Sequence, residues 1–496
     1  MNLLLPMPVI LPLLGAAVLL ALHPRSRVSR VISVVVTFAT LVASIVLLAR
    51  AADSGVLSAD LGGWPAPVGI TLVVDVFSGL MLVISTAMVL AVLVYAIGNP
   101  RTDDEAEFFH PVYLTLAAGL SACFITADLF NLFVAFEVML TSSYVLMTLG
   151  GNKAQVRAGM TYVVISLLSS LLFITAIGLI YAATGTVNLA DLAVRLQEVS
   201  PGLRTALGTL LLLVFGIKAA IFPLFFWLPD SYPTAPTAVT AIFAGLLTKV
   251  GVYAIIRTQT LLFPSDGPSP LLLTLAALTM FVGVLGPMAQ NEVKRILSFH
   301  IVSQNGYMIF GLGLFTVAGL AAGIFFIIHQ VVVKTVLFLV GGLLEDSTGT
   351  SALHKMGGIM HVSPALAVLF AVPALSLAGL PPFSGFVAKL GLVQAGVEAG
   401  SFLVVGVSLF VSLLTLFSMT KIWSGVFWGK IQPEDLENRP KDEHLVTSPL
   451  MTGATAALAV LSLAIGFAAG PLFELSTQAA NQLMDPSGYF EAVLGP

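Results

Sequence analysis

The sequence predicts an all-α polytopic membrane protein with about fourteen transmembrane helices, and three observations carry that prediction. Hydrophobic residues make up 58% of the chain and charged residues 9%, and mean hydropathy is +1.02. Soluble domains carry about 25% charged residues, so a water-facing surface cannot be built here and lipid must cover most of the protein. Apolar stretches near the length of a spanning helix, about 20 residues, recur along all 496 residues. Lysine and arginine also gather in alternate connections, as the positive-inside rule requires.

The first run, 3–22, lies in MNLLLPMPVILPLLGAAVLLALHPRSR. A secretory leader places its basic residues before the apolar run; here Arg25, Arg27 and Arg30 come after it. The run therefore reads as a retained first helix that enters with its N-terminus outside. Runs at 28–49 and 72–97 follow, and Asp128 divides 111–127 from 129–149. After 159–183, the run 206–228 is interrupted by FPLFFWLPDSYPTAP (222–236). Pro223 and Pro229 each lack a backbone donor, and the proline ring displaces the carbonyl one turn earlier, near Ala219 for Pro223. Runs at 237–258, 270–289, 296–313 and 317–344 come next. The run 364–397 is too long for one straight span, and Pro381-Pro382 breaks it. Run 401–424 precedes GKIQPEDLENRPKDEHLVT (429–447), which reads as a solvated cytoplasmic loop, and 448–472 is the last span.

With an outside N-terminus, the cytoplasmic connections hold Arg25, Arg27, Arg30, Arg101, Lys153, Arg157, Lys294, Arg295, Lys355, Lys421, Lys430, Arg439 and Lys441. The opposite side holds Arg50, Arg195, Arg204 and Arg257. That bias fits the rule, and an even helix count puts both termini outside. The chain divides into residues 1–110 (helices 1–3), 111–258 (helices 4–8), 259–424 (helices 9–13) and 425–496 (loop and helix 14). Each five-helix unit places its proline-broken helix fourth, which makes helices 7 and 12 the broken ones. Because five is odd, the second unit runs inverted relative to the first, a recurring transporter design.

Ionisable groups inside the apolar runs direct the functional reading. They are Glu137, Lys218, Lys249, His329, Lys334 and Lys389. Such a group at the bilayer centre costs at least ~2.5–3.5 kcal/mol, so these should face the interior, pair with one another or touch water. Lys218 precedes the first break, where unwound backbone can line a wet cavity. Burial disfavours a charged lysine and a neighbouring carboxylate favours it, so motion between Glu137 and Lys218 would load and unload a proton. Lys249 sits mid-run in AGLLTKVGVYAII. His329 and Lys334 are five apart on adjoining faces, and imidazole titrates near neutrality. Lys389 follows the second break as a terminal group. His300 lies near a helix start, and Asp75 and Asp128 lie near span ends.

Other classes are excluded or disfavoured. A net charge of −4, without a basic run, implies no nucleic-acid partner. The single cysteine, Cys123, allows neither an internal disulfide nor a cysteine metal site. No HExxH, GxSxG or intramembrane Gly-Asp dyad is present, so the chain does not read as an enzyme. No metal site, cofactor or redox motif is expected.

Four segments carry a family resemblance: AFEVMLTSSYVL (135–146), KAAIFPLFFWLPDSYPTAPTAVTAIFAGLLTKVGVY (218–253), HQVVVKTVLFLVGG (329–342) and LAGLPPFSGFVAK (377–389). They resemble the proton-translocating antiporter-like family, which includes the large membrane subunits of respiratory complex I and subunits of the Mrp cation/proton antiporter. The resemblance implies fourteen helices, two inverted five-helix units and broken helices 7 and 12. It implies that Glu137 is the essential glutamate, Lys218 its partner, Lys249 the connecting lysine, His329 the histidine of the second unit and Lys389 the terminal group. Within the family the chain is most similar to the D-type Mrp subunits. Phe225 stands where complex I members usually carry histidine, and Lys389 stands where one of them has glutamate. The expectation is a proton-translocating subunit of a multisubunit Na⁺/H⁺ antiporter in a bacterial plasma membrane, assembled with other Mrp subunits. The alternative is a proton-pumping membrane subunit of a complex I-like or membrane-bound hydrogenase complex.

Overall fold

In hydrocarbon every backbone polar group must find an internal partner, which leaves helices as the economical solution for these runs. The computed structural model describes residues 3–22, 26–99, 108–151, 153–430 and 448–495. Its long helices are α1 (Met7–Leu22), α2 (Ser26–Ser54), α3 (Val76–Gly98), α4 (Phe109–Ile125), α5 (Leu129–Thr148) and α6 (Lys153–Thr184). They continue as α7 (Pro201–Ala219), α8 (Thr237–Leu261), α9 (Pro270–Ala289), α10 (Val293–Gly313) and α11 (Val317–Thr348). The remainder are α12 (Pro364–Ala378), α13 (Ser384–Glu398), α14 (Phe402–Trp428), α15 (Pro449–Phe467), α16 (Ala469–Met484) and α17 (Ser487–Leu494). Among the described residues, ten helices are long and apolar enough to cross a membrane. Every apolar run of the sequence carries helix.

Burial sorts these helices into a centre and a rim. The apolar windows of α8 and α11 are entirely buried, whereas those of α2, α6, α14 and α15 are less than half buried. A helix apolar on all sides belongs inside, and α11 meets α3, α10, α12, α13, α15 and α16. The rim presents side chains such as Leu171, Leu413 and Phe417 outward, as lipid contact requires.

Both predicted breaks are present. α7 stops at Ala220, which is left-handed at φ 52°, and helix resumes only at Trp227–Ser231. α12 stops at Gly379, at φ 87°, and α13 begins at Ser384. The left-handed conformation is easy for Gly379, and at Ala220 the surroundings must hold it. Asp75 and Asp128 cap the starts of α3 and α5 by accepting from the backbone N–H of Ser78 (2.8 Å) and Asn131 (2.7 Å).

The structure departs from the sequence reading in several places. A short antiparallel hairpin pairs Leu57–Asp60 with Thr71–Val74, and a two-turn helix covers Leu189–Arg195. The run 448–472 ends at Phe467, after which α16 and α17 fold against the bundle. Gln478 of α16 donates to Ala52 O (2.8 Å), and the Val76 N–H donates to the Gln482 side chain (2.9 Å). These elements are too short or too polar to register as spans. Two basic residues assigned to connections are buried and paired: Arg257 with Asp75, and Lys294 with Glu345. Arg25, Arg101 and the stretch 431–447 lie outside the described residues.

Candidate functional site: a buried row of ionisable side chains

The structure brings the sequence-predicted residues into one interior row that starts on α5 and ends on α13. Glu137 is half-buried on α5, and its carboxylate accepts a short hydrogen bond from Ser170 Oγ of α6. Lys218 is buried in the last turn of α7, with Nζ 4.8 Å from the centroid of the Phe136 ring. Nζ has no hydrogen-bond partner among the described residues, so it is not bonded to Glu137, yet the two groups lie within electrostatic reach.

The break beside Lys218 is satisfied by other donors. The carbonyl of Ala219, freed by Pro223, accepts from Asn305 Nδ2 of α10 at 2.7 Å. The indole of Trp227 donates to Ile217 O (3.1 Å), and the Phe222 N–H donates to Thr279 Oγ1 (3.0 Å). With those carbonyls occupied, the lysine is not needed as a cap. Pro229 is buried within the turn that restarts the helix.

Lys249 is buried on α8, just after a stretch of wider π-type turns at Phe243–Leu247. Such turns open carbonyls that an α-helix would keep paired. Nζ donates to one of them, Ala244 O, at 2.8 Å, and to Thr248 Oγ1 at 3.3 Å. Gly245 in the same turns lets α8 approach α11, since a Cβ there would collide with Thr335 Oγ1.

Thr335 is adjacent to Lys334, which is completely buried on α11 with no hydrogen-bond partner for Nζ among the described residues. Lys334 lies within electrostatic reach of Lys249 on one side and Lys389 on the other. His329, one and a half turns earlier, shares a 2.8 Å hydrogen bond between Nδ1 and Ser384 Oγ, and Ser384 contacts Ser376 Oγ at 3.1 Å. Lys389 ends the row on α13. Its Nζ donates to Leu377 O (2.9 Å) and Ala378 O (3.2 Å), the last carbonyls of α12, where the helix dipole favours a cation. Pro381 and Pro382 lie in the segment that exposes those carbonyls. Along the row, ammonium groups thus alternate between free (Lys218, Lys334) and held by carbonyl oxygens (Lys249, Lys389).

The row has polar company that the sequence reading passed over. Gln304 and Asn305 on α10, Gln330 on α11, and Ser376 and Ser384 at the second break are all buried. Gln330 Nε2 donates to Gln304 Oε1 at 3.3 Å. The signal was present as SQN (303–305) inside an apolar run and as the glutamine after His329. His300 is also fully buried, with Nε2 2.5 Å from Ser418 Oγ. Glycine sets the spacing at the second break. A Cβ on Gly385 would overlap Ser376 O and lie 3.0 Å from His329 Cε1. Gly385→Ala is therefore expected to push α13 off α12, break the Ser384–His329 contact and cost about 1–3 kcal/mol. A lowered thermal midpoint together with lost ion exchange is the expected outcome; parental behaviour would contradict the packing.

This fold and this row define a polytopic helical membrane protein that keeps ionisable side chains inside its bundle. The chain belongs to the family described as NADH:quinone oxidoreductase/Mrp antiporter, TM, whose model matches residues 126–415. It is 43% identical, over the full length of both chains, to a D-type Na(+)/H(+) antiporter subunit of Alkalihalophilus pseudofirmus. Its fold matches a chain in the Mrp complex from Dietzia sp. DQ12-45-1b with a TM-score of 0.91 and 36% identity, covering all of both chains. It also matches a chain of the membrane-bound sulfane sulfur reductase, an archaeal respiratory membrane complex, with a TM-score of 0.88 and 25% identity. That match covers 98% of this chain and 99% of the other.

Proposed function

We propose that this chain is the proton-translocating subunit of a multisubunit Na⁺/H⁺ antiporter, in which Glu137, Lys218, Lys249, His329, Lys334 and Lys389 pass protons in turn. The observation that carries this reading is the alternation of free and carbonyl-held ammonium groups on one buried row. A proton on one group raises the cost of a proton on its neighbour, so occupancy moves along the row as a coupled set. Each charge crossing the membrane gains about 2.3 kcal/mol per 100 mV, enough to shift protons between coupled sites. The relatives' names support Na⁺ as the exchanged cation and other Mrp subunits as partners. The cation would travel largely in those partners.

The same reading includes fourteen spans, with α7 and its continuation as helix 7 and α12–α13 as helix 12. It includes two inverted units at 111–258 and 259–424, flanked by 1–110 and 425–496. Both termini would lie outside a bacterial plasma membrane. The test is Na⁺-dependent proton movement in inverted vesicles carrying the complete complex. Glu137→Ala should lower the rate about a hundredfold or more, the scale of a lost proton-transfer group. An unchanged rate would count against the reading. The respiratory neighbour supports a second reading, in which redox partner chains drive the same row; co-purification of redox subunits in place of antiporter subunits would favour it.

A further inference from the structure

The start of α7, the end of α8 and the start of α9 frame an open groove of about 480 Å³. That volume falls in the range of sites that hold small organic molecules, about 300–1,000 Å³. The groove changes character along its length. Arg204 and Gln259 line it near the helix ends, and Gly208 and Leu212 line it further along α7. At 1.5 Å per residue, the stretch from Arg204 to Leu212 covers about 12 Å, close to the roughly 15 Å of hydrocarbon in one leaflet. Phe263 and Leu271 form apolar walls. A Cβ on Gly208 would come within 2.9 Å of Phe263 Cδ1, so glycine lets that ring sit against α7.

The charge in the groove has no counterpart. Arg195 pairs with Asp191 and Arg257 with Asp75, whereas no carboxylate pairs with Arg204 among the described residues. Arg204 Nη2 donates one long hydrogen bond, to Leu262 O at 3.4 Å. A guanidinium has five N–H donors, so most of them are left for another acceptor. The contact with Leu262 also ties the guanidinium to the end of α8, whereas an arginine that only sought water would extend away from the bundle. The half-buried Gln259 side chain has no hydrogen-bond partner among the described residues either. The Thr205 and Thr209 hydroxyls are turned back to α7 carbonyls.

A cation and a free amide above an apolar slot match an anionic amphiphile. A phosphate can take paired hydrogen bonds from a guanidinium, and an acyl chain can fill the slot below it. A soluble anion would use only the polar end, and a lipid without net charge would leave Arg204 without a counter-ion.

We propose that the groove between α7, α8 and α9 binds one anionic phospholipid, with its phosphate on Arg204 and Gln259 and one acyl chain laid over Gly208 toward Leu212. The lipid bridges the two helices that carry Lys218 and Lys249, at the ends remote from both lysines. It therefore adds stability without entering the row of ionisable groups.

The test titrates the complete, delipidated complex with phosphatidylglycerol and counts bound lipid by native mass spectrometry. Arg204→Gln should weaken one binding event about fivefold or more, the scale of one arginine at a lipid surface. Thr209→Trp fills the slot from its exposed side and should weaken the same event with the charge intact. Arg195→Gln removes a charge already paired with Asp191 and should match the parent. Phosphatidylcholine should bind all four proteins equally. Phosphatidylglycerol should raise the thermal midpoint of the parent more than that of Arg204→Gln, and inorganic phosphate should raise neither. Equal phosphatidylglycerol binding by the parent and Arg204→Gln overturns the proposal. An equal loss in Arg195→Gln shows diffuse surface attraction and also overturns it. A midpoint rise with inorganic phosphate as large as that with phosphatidylglycerol shows a soluble-anion site, and parental binding by Thr209→Trp shows that no chain occupies the slot; either result overturns the lipid. If Thr209→Trp fails to assemble, Arg204→Gln and the phosphate comparison still decide.

Discussion

Lys334→Met is expected to lower Na⁺-driven proton movement by about a hundredfold or more, the range of a lost proton-transfer group, without destabilising the protein. Lys334 lies in the middle of α11, fully buried, with no hydrogen-bond partner for its ammonium among the described residues. Nothing in the fold depends on its charge, and burying an unpartnered ammonium is costly. Methionine has a similar length and flexibility and fills the space without that cost. The thermal midpoint of the detergent-solubilised complex should therefore hold or rise while transport disappears. Lys334→Arg should be as inactive as Lys334→Met, because a guanidinium keeps its proton and cannot pass it on. If arginine supports transport, Lys334 serves only as a fixed charge. If methionine supports it, the row does not pass through Lys334. A fall in both stability and activity would mean that the ammonium is structural.

The opposite signs of those two effects follow from how the row is built. Evolved structures tolerate locally unfavourable groups where function needs them, and Lys218 and Lys334 are such groups here. Lys249 and Lys389 are held by carbonyls that a π-type turn and a helix end release. The π-type turns of α8 and the end of α12 thus each hold an ammonium, whereas the carbonyls at the end of α7 are taken by Asn305 and Trp227 and leave Lys218 unheld.

Much of this was legible in the sequence because the bilayer constrains it strongly. Lysines inside apolar runs have few permissible locations, so Lys218, Lys249, Lys334 and Lys389 could be placed in the interior by cost alone. The prolines marked both breaks, since they cannot continue a helix hydrogen-bond ladder. Asn305, Gln304 and Gln330 left only a weak signal, because neutral amides carry a smaller penalty and their value depends on which helix they face. The π-type turns at Phe243–Leu247 leave no compositional trace. The amphipathic α16 was missed because half its surface is polar, and it packs chiefly against α11 and α3. Arg257 was misplaced for a related reason. Near a run's end, an arginine that snorkels to water and one that is buried against a carboxylate look identical until the partner's position is known.

That partner makes Arg257 the site of the largest expected stability change. Its guanidinium meets Asp75 in fork geometry, with Nη1–Oδ2 at 2.6 Å and Nη2–Oδ1 at 2.9 Å. Asp75 also caps α3, and the guanidinium lies 5.5 Å from the ring centroids of Tyr253 and Tyr489. One side chain thus ties the end of α8 to the start of α3 and to α17. Arg257→Met would leave a buried carboxylate without its counter-charge, a loss of about 3–5 kcal/mol. Asp75→Asn keeps an oxygen to cap α3 and removes the negative charge, so the double variant should recover most of the lost stability. Thermal unfolding of the four proteins measures the coupling directly. Transport per folded complex should stay near parental in the double variant, because neither residue belongs to the row that starts at Glu137. Equal midpoints for Arg257→Met and the parent would show that the pair contributes nothing. A double variant no more stable than Arg257→Met would show that the arginine acts through its aromatic neighbours and not through Asp75.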